Sequence, residues 1–308
     1  MTDTLLINVR QEAAPNALDP QAASWHLQMP AGDGSPELHL GLQGGTGLDR
    51  PRHWIHLGTR AHAAPELGLH HRQTMLMLGS NLTGAIELTG LAAPALLAAE
   101  AERQQALLDA AVLLLGWMAH QQPANLGLTV FGALPGLRDE RGQSPFWAAL
   151  GQHFAGMTPA QAAQRLGAHW ADDLAPLLPR HPVMLSLLPA GAQAVVSQVA
   201  PAASRLAQQL VMQGLASGRH VDLVDAGPVH EAPLASLLAR RGAAQRHLQA
   251  LPAEAAEPLS RWWCWAPARG VLLRAEGRLA DDGRLQLPSG ALATLGAQLD
   301  EAFWSAPG

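Results

Sequence analysis

The 308-residue chain has no lysine, no tyrosine and a single cysteine, Cys264. Every permanent side-chain cation is therefore an arginine, a bias we attribute to genome base composition rather than to function. One cysteine excludes an intramolecular disulfide and fits a reducing compartment. Charge is scarce: Asp, Glu, Lys and Arg make up 15% of the chain, with a net charge of −5. No basic stripe is available for nucleic acid. Long apolar runs are missing as well, since the most apolar segment, Ala110 to Met118, is too short to span a bilayer. The opening MTDTLLINVR has no basic stretch followed by an apolar one, so no signal peptide is expected. These absences predict a cytoplasmic protein with no nucleic-acid and no membrane partner. The apolar fraction of 48% suits one large core, or a core plus a small second domain.

Patterning predicts a mixed α/β protein. Residues 1–52 carry one strand-like run, Glu37 to Leu42, and the turn Gly44-Gly45-Thr46-Gly47, which lacks the Lys-Ser/Thr of a phosphate loop. Strands are expected at Trp54–Arg60, Thr74–Leu78 and Ala85–Leu91. A helix opened by Pro94 runs to about His120 with a 3.6-residue apolar period. A strand follows at Leu126–Leu134. Thr158-Pro159-Ala160-Gln161 has the form of a capping box. Val183–Leu188 reads as a strand, and Pro201–Gln213 as a helix closed by Gly214. Another strand covers His220–Val224. Residues 229–255 read as helical and linker-like. Strands return at Leu259–Trp265 and Gly270–Leu279, with a hairpin turn at Asp281-Asp282-Gly283.

Spacing alone yields little chemistry. His53, His56, His62, His70 and His71 crowd into nineteen residues, but no neighbouring Cys or carboxylate completes a zinc set. Strand alternation sends Trp263 and Trp265 to one face, and Trp262 and Cys264 to the other. No G-x-S-x-G, H-E-x-x-H or paired-carboxylate pattern is present.

One segment is more specific. GLRDERGQSPFWAALGQHFAGM, residues 136–157, resembles a G-x-x-D-E-x-G-x-S-P-F-W signature of the arginine N-succinyltransferase family. Further blocks follow the same order: LGTRAHAAPELGL (57–69), Thr83-Gly84-Ala85-Ile86-Glu87-Leu88, Arg180-His181-Pro182, and Asp225-Ala226-Gly227-Pro228 with Glu231. The resemblance covers about residues 35–232 well and 259–303 weakly. It implies a GNAT-like acyltransferase fold, a mixed sheet flanked by helices, with a small C-terminal β-rich region. The implied layout is a divergent, shortened segment at 1–52, an acyltransferase core at 53–232, and a helical linker with a small β-rich region at 233–308. The implied reaction moves succinyl from succinyl-CoA, a cosubstrate, to the α-amino group of arginine or a similar amine, in arginine catabolism. No resident cofactor or metal is implied. By resemblance, Thr89, Gly90 and Leu91 would contact the CoA pantetheine, and His62, Ser144 and Glu231 would lie near the acceptor.

The chain also departs from the family pattern. The Gly-rich loop that should open the helix after Leu91 reads APALLAAEAERQQ (93–105), with Ala101 and Arg103 at the glycine positions. Glu100 and Glu102 would repel a pyrophosphate unless Arg103 offset them. The family's proton-donating histidine is replaced by Ala200 in Ser197-Gln198-Val199-Ala200-Pro201, leaving no catalytic residue to assign. The family's first strand and helices have no evident match in 1–52. Two readings stand: an acyltransferase with weak or lost activity, or a non-catalytic partner or regulatory subunit of an intact paralogue. A homodimer, or a heteromer with that paralogue, follows by analogy only.

Overall fold

The computed structural model describes residues 4–12, 23–32, 34–239, 242–252, 258–296 and 302–308. Its strands are β1 (Leu5–Glu12), β2 (Ser24–Met29), β3 (Leu38–Gln43), β4 (Trp54–Ala64), β5 (Leu69–Gly79), β6 (Ile86–Thr89), β7 (Thr129–Ala133), β8 (Val183–Met184), β9 (Ala216–Val221), β10 (Pro228–Pro233), β11 (Ala244–Ala250), β12 (Ser260–Ala266), β13 (Val271–Leu279), β14 (Leu285–Leu287) and β15 (Ala302–Pro307). The order across the main sheet is β1-β2-β3-β6-β7-β10-β9-β4-β5-β8. Within it only β6 and β7 run parallel. The crossover between them, residues 90–128, holds two helices, α1 (Pro94–Ala98) and α2 (Ala101–Gln121).

Segment 1–52 therefore contributes three strands to the same sheet, not one. LLINVR and SWHLQM alternate apolar and polar residues, the pattern of a strand with one buried face. A boundary after residue 52 falls within a continuous sheet. The C-terminal strands pair in a ring, β12-β15-β11-β14-β13 and back to β12, and β13 joins the ring to β1 through Leu5↔Arg274. Leu248, Cys264, Leu273, Leu285 and Phe303 fill its interior. The alternation expected of the tryptophans holds: Trp263 and Trp265 join the main core, while Trp262 and Cys264 join the ring core.

Helix α2 is buried nearly all round, not on one stripe, because it packs against β2, β3, β12 and β15 and against a later helix. The expected helix over 94–120 is interrupted at Ala99 and Glu100, both extended. No Gly or Pro marks this break. Side-chain donors hold it: Gln104 Nε2 to Leu96 O (2.7 Å), Arg205 Nη1 to Ala99 O (2.9 Å) and Gln209 Nε2 to Ala101 O (2.8 Å).

Three further helices matter below. Helix α3 (Pro145–Ala149) follows the polar turn at 138–143. Helix α4 (Pro159–Leu166) has both bonds of its capping box. Helix α5 (Ser204–Gln213) ends at Gly214, with φ 104°. Two expectations fail. Of residues 229–255, Leu234–Leu238 is helical as expected, but Pro228–Pro233 and Ala244–Ala250 are strands, because pairing with β7, β9 and β15 overrides a helix-like composition, and residues 240–241 and 253–255 lie outside the described residues. Val183–Leu188 is a two-residue strand followed by a 3₁₀ turn at Leu185–Leu187. Among the described residues no helix is long and apolar enough to cross a membrane.

Candidate functional site

Strands β6 and β7 part company. Their parallel register runs Ile86↔Val130 and Glu87↔Phe131 and stops there. Past that point β7 turns to its other neighbours: Leu134 N donates to Pro228 O (3.1 Å), and Gly136 bridges Val199. On the β6 side the chain turns at Gly90, whose φ of 85° suits glycine. Thr89 lies over Gly41, where a Cβ would meet its Oγ1 at 2.1 Å. Leu91 is buried over Gly132, where a Cβ would meet its Cδ1 at 2.4 Å. Thr89, Gly90 and Leu91 thus edge the gap between the strands.

The gap leads to the start of α2. Its N-cap, Glu100, makes no side-chain capping bond. The residues expected to spoil this end for phosphate are otherwise engaged. Glu102 Oε1 accepts from Arg261 Nη1 (3.2 Å) and Arg274 Nη2 (3.0 Å), so the helix is tied to β12 and β13. Arg103 donates to Pro30 O and Pro36 O, both at 2.8 Å, rather than offsetting Glu102.

Ala200 sits where β7 exits the sheet. Its N–H donates to Pro135 O (2.8 Å), and a 3₁₀ turn, Pro201–Ala203, follows. A methyl group there moves no proton. The adjoining backbone is strained: Ser197 and Ala226 both have positive φ, 60° and 54°, and Ser197 N donates to Ala226 O (2.9 Å). Left-handed backbone costs roughly 1–2 kcal/mol per non-Gly residue. The 225–228 loop closes tightly on Gly136, where a Cβ would lie 2.4 Å from Asp225 O. Asp222 accepts from Val224 N (2.8 Å) and Asp225 N (3.1 Å), and Arg138 pairs with Asp225 (3.2 Å). Burial, then the nearby Asp225 charge, pushes the Asp222 carboxyl up to about 6.

The three acceptor-side candidates are not brought together. Ser144 is buried; its Oγ donates to Val224 O (2.7 Å) and accepts from Trp147 N (3.0 Å), which makes it the N-cap of α3. Both of these hydrogen bonds go to the backbone. The polar turn and Pro-Phe-Trp are thereby explained: Asp139 Oδ1 accepts from Arg141 N (2.9 Å) and Gln143 N (2.8 Å), Ser144 caps the helix, and Phe146 and Trp147 enter the core. His62 lies exposed on the outer part of the β4–β5 hairpin, opposite His71. It is six residues from His56, about 20 Å along a strand. Glu231 faces inward over Gly218 and accepts from Arg219 N (3.0 Å) and His220 Nδ1 (3.1 Å). That pairing, with His220 first among its causes, holds the Glu231 carboxyl below the usual range. The His56 and His220 rings lie 5.1 Å apart, and burial, followed by His220, lowers the His56 pKa.

A polar site emerges that sequence reasoning missed. Glu87 is the last residue of β6 paired with β7, and it faces away from α2. Its carboxylate pairs with Arg52 (3.2 Å), whose guanidinium lies 5.1 Å from the Trp54 ring centroid. Asp172 accepts from His53 N (2.7 Å), and Arg50 pairs with Asp173 (2.5 Å). Burial raises the Glu87 pKa against the opposing pull of Arg52. A cavity of about 130 Å³ opens here, bordered by Gln43, Thr46, Arg50, Arg52, Glu87 and His169. The visible signal was Glu87 in a family-like block and two arginines flanking Pro51. Asp172 and Asp173, some 120 residues away, carried none. Among the described residues no cluster of His, Cys, Asp and Glu could hold a metal.

The profile of the arginine N-succinyltransferase beta subunit family matches residues 39–239. This chain belongs to the arginine N-succinyltransferase family. Within the family it is similar to the arginine N-succinyltransferase of Photorhabdus laumondii, 39% identical over 106 residues, which is 34% of this chain and 31% of that relative. It is also similar to the beta subunit from Pseudomonas aeruginosa, 30% identical over 62% of this chain and 55% of the relative. The alpha subunit from the same organism is 30% identical over 59% and 52%. The chain thus spans about half the length, or less, of these relatives. Its fold is that of subunit AI of the arginine/ornithine succinyltransferase from P. aeruginosa, with a TM-score of 0.65 and 19% identity over 95% of this chain and 84% of that one.

Proposed function

We propose that this chain is an acyltransferase that moves succinyl from succinyl-CoA to the α-amino group of arginine, a step of arginine catabolism. The observation that carries this reading is the parting of β6 and β7 beside Thr89–Leu91, at the mouth of the crossover into α2. A GNAT-like fold needs such a splayed parallel pair, and the strand order β1-β2-β3-β6-β7-β10-β9 agrees with it. In this reading the pantetheine lies in the gap and pairs with backbone groups of β6. The pyrophosphate meets the start of α2, where N–H groups and the helix dipole favour an anion. Ala101 and Arg103 narrow that approach relative to glycine.

The acceptor would occupy the cavity beside Glu87. Arg50 or Arg52 suits an amino-acid carboxylate, and Asp49 or Asp172 a guanidinium. Arginine's α-ammonium must lose a proton before it attacks. Glu87 is the last β6 residue before the pairing with β7 ends, and its raised pKa makes it a better proton acceptor. The neutral nitrogen then bonds to the thioester carbonyl carbon. A second proton leaves nitrogen as the adduct collapses and the C–S bond breaks. The sulfur departs as thiolate; one proton ends on it through water and the other enters solvent. A thiol with an ordinary pKa near 8.5 leaves without an acid, although losing one typically costs roughly 100- to 10,000-fold. Slow turnover is therefore the expectation for a chain with Ala200.

Ala200 and the subunit names of two relatives favour a second reading, a non-catalytic subunit beside an intact paralogue. The test is thiol release from succinyl-CoA with and without arginine, on the purified chain and after co-expression with such a paralogue. Arginine-dependent release by the chain alone supports the transferase. Release only in a complex supports the subunit. No release and no complex sinks both.

A further inference from the structure

The cavity beside Glu87 sets one arginine between two carboxylates. Arg52 Nη2 donates to Glu87 Oε1 at 3.2 Å, and Arg52 Nε lies 3.9 Å from Asp172 Oδ2. Both carboxylates are mostly buried, with side chains 13% and 11% exposed, whereas the Arg52 side chain is 38% exposed. Arg52 and Glu87 both border the cavity. Asp172 is anchored separately, since it accepts from His53 N at 2.7 Å. The Arg52 guanidinium rests 5.1 Å from the Trp54 ring centroid. A guanidinium offers five N–H donors in a planar fork, so one bond to Glu87 leaves donors for a further carboxylate in the cavity.

The charges around Glu87 make the position of Arg52 matter. Burial is the largest cause of its raised pKa, and the Asp172 and Asp222 charges raise it too; Arg52 alone among these lowers it. Asp49, Arg50 and His169 complete the charged and titratable rim. Further out, Arg50 pairs with Asp173, and His53 Nδ1 lies 3.3 Å from Asp172. Pairing with Arg52 thus keeps Glu87 ionised, and a carboxylate that holds a guanidinium is a weak proton acceptor. An amino-acid acceptor brings an α-carboxylate that competes for the same fork.

We propose that Arg52 is a switch on Glu87 worked by the acceptor: the α-carboxylate draws the guanidinium off Glu87, and the freed carboxylate takes one proton from the α-ammonium. The inference rests on the reading that the amino acid enters this cavity. The transfer turns an ammonium and a carboxylate into an amine and a carboxylic acid, and needs no other reagent. Arg52 is then a positioning residue, and Asp172 keeps it close once it leaves Glu87. The acceptor class narrows to amino acids with a free α-carboxylate, because an amine without one leaves Glu87 paired.

The test reads Glu87 directly and does not depend on turnover. The full chain is labelled with ¹³C at its glutamate carboxyls, and Glu87→Gln assigns the signal. Its titration is followed with δ-guanidinovalerate, which is arginine without the α-amine, and with the corresponding carboxamide, which fills the same space uncharged. The carboxylate analogue should raise the proton affinity of Glu87 about tenfold, and the carboxamide should leave it near its free value. Arg52→Gln should raise it as much with no ligand, and the analogue should then add nothing. If the analogue binds and the Glu87 titration does not move, the switch is overturned while the acceptor cavity stands. Equal shifts with both analogues overturn it too, since burial by the ligand then explains them. If neither the analogue nor arginine binds, the cavity reading fails and takes the switch with it. Should Arg52→Gln not fold, the pair of analogues decides alone.

Discussion

The two faces of the strand row through Glu87, Phe131 and Glu231 differ in kind. The face against α2 carries Ile86, Leu88, Val130 and Ala232, all in one apolar core. The sole ionisable group there on these three strands is His230, whose pKa is lowered by burial, keeping it neutral near pH 7. The opposite face carries Glu87, Phe131 and Glu231 in register; on β9 Glu231 is paired with Ala216, and its carboxylate bonds the His220 ring, whose residue pairs with His56 of β4. Side chains one residue apart thus meet opposite environments, because a strand alternates. The first face is given over to packing; the second sets Glu87 and Glu231 beside a smaller apolar cluster of Trp54, Phe131 and Val229. The lesson is where to strike: substitutions on the first face should change stability, and on the second, chemistry.

The largest effect is expected on the packed side. Leu114→Ala, at a fully buried position of α2, should lower unfolding free energy by about 3 kcal/mol in denaturant titrations. Glu87→Gln should leave the denaturant midpoint nearly in place and cut arginine-dependent thiol release about 100-fold. Equal loss of stability and rate would erase the contrast between faces. Asp222 sharpens it through pH. A carboxyl whose folded pKa is raised binds more protons folded than unfolded, so its contribution is full below about pH 4 and is lost as pH rises through about 6. Asp222→Asn should flatten the fall in stability across that window. Ser144→Ala should cost about 1 kcal/mol through the lost cap, with KM for arginine unchanged. His62→Ala, on the exposed arm, should shift stability by less than about 0.5 kcal/mol and leave kinetics untouched.

Much of the fold was legible because local chemistry and tertiary structure agreed. Thr158 and Gln161 make both bonds of a capping box, and Gly214 ends α5 as its sequence position demands. Where they disagreed, pairing partners won. Residues 244–250 read as Ala-rich helix, yet β15 and β14 on either side make them a strand. The resemblance drew attention to Thr89–Leu91, and the structure places these residues where the β6–β7 pairing has ended. Ser144 emerges as a helix cap, a role its place before Pro145 was open to.

Composition, periodicity and the motif blocks determined by themselves the mixed α/β class and the family. These rest on local backbone preferences and residue identity, which need no partner. Tertiary structure alone decided that Glu87 meets Arg52, that Glu102 is neutralised by Arg274 from a strand 172 residues away, and that Arg50 and Glu87 border one cavity. Coulomb attraction, burial and hydrogen bonding act through space, and the spacing of residues along a chain does not encode those distances.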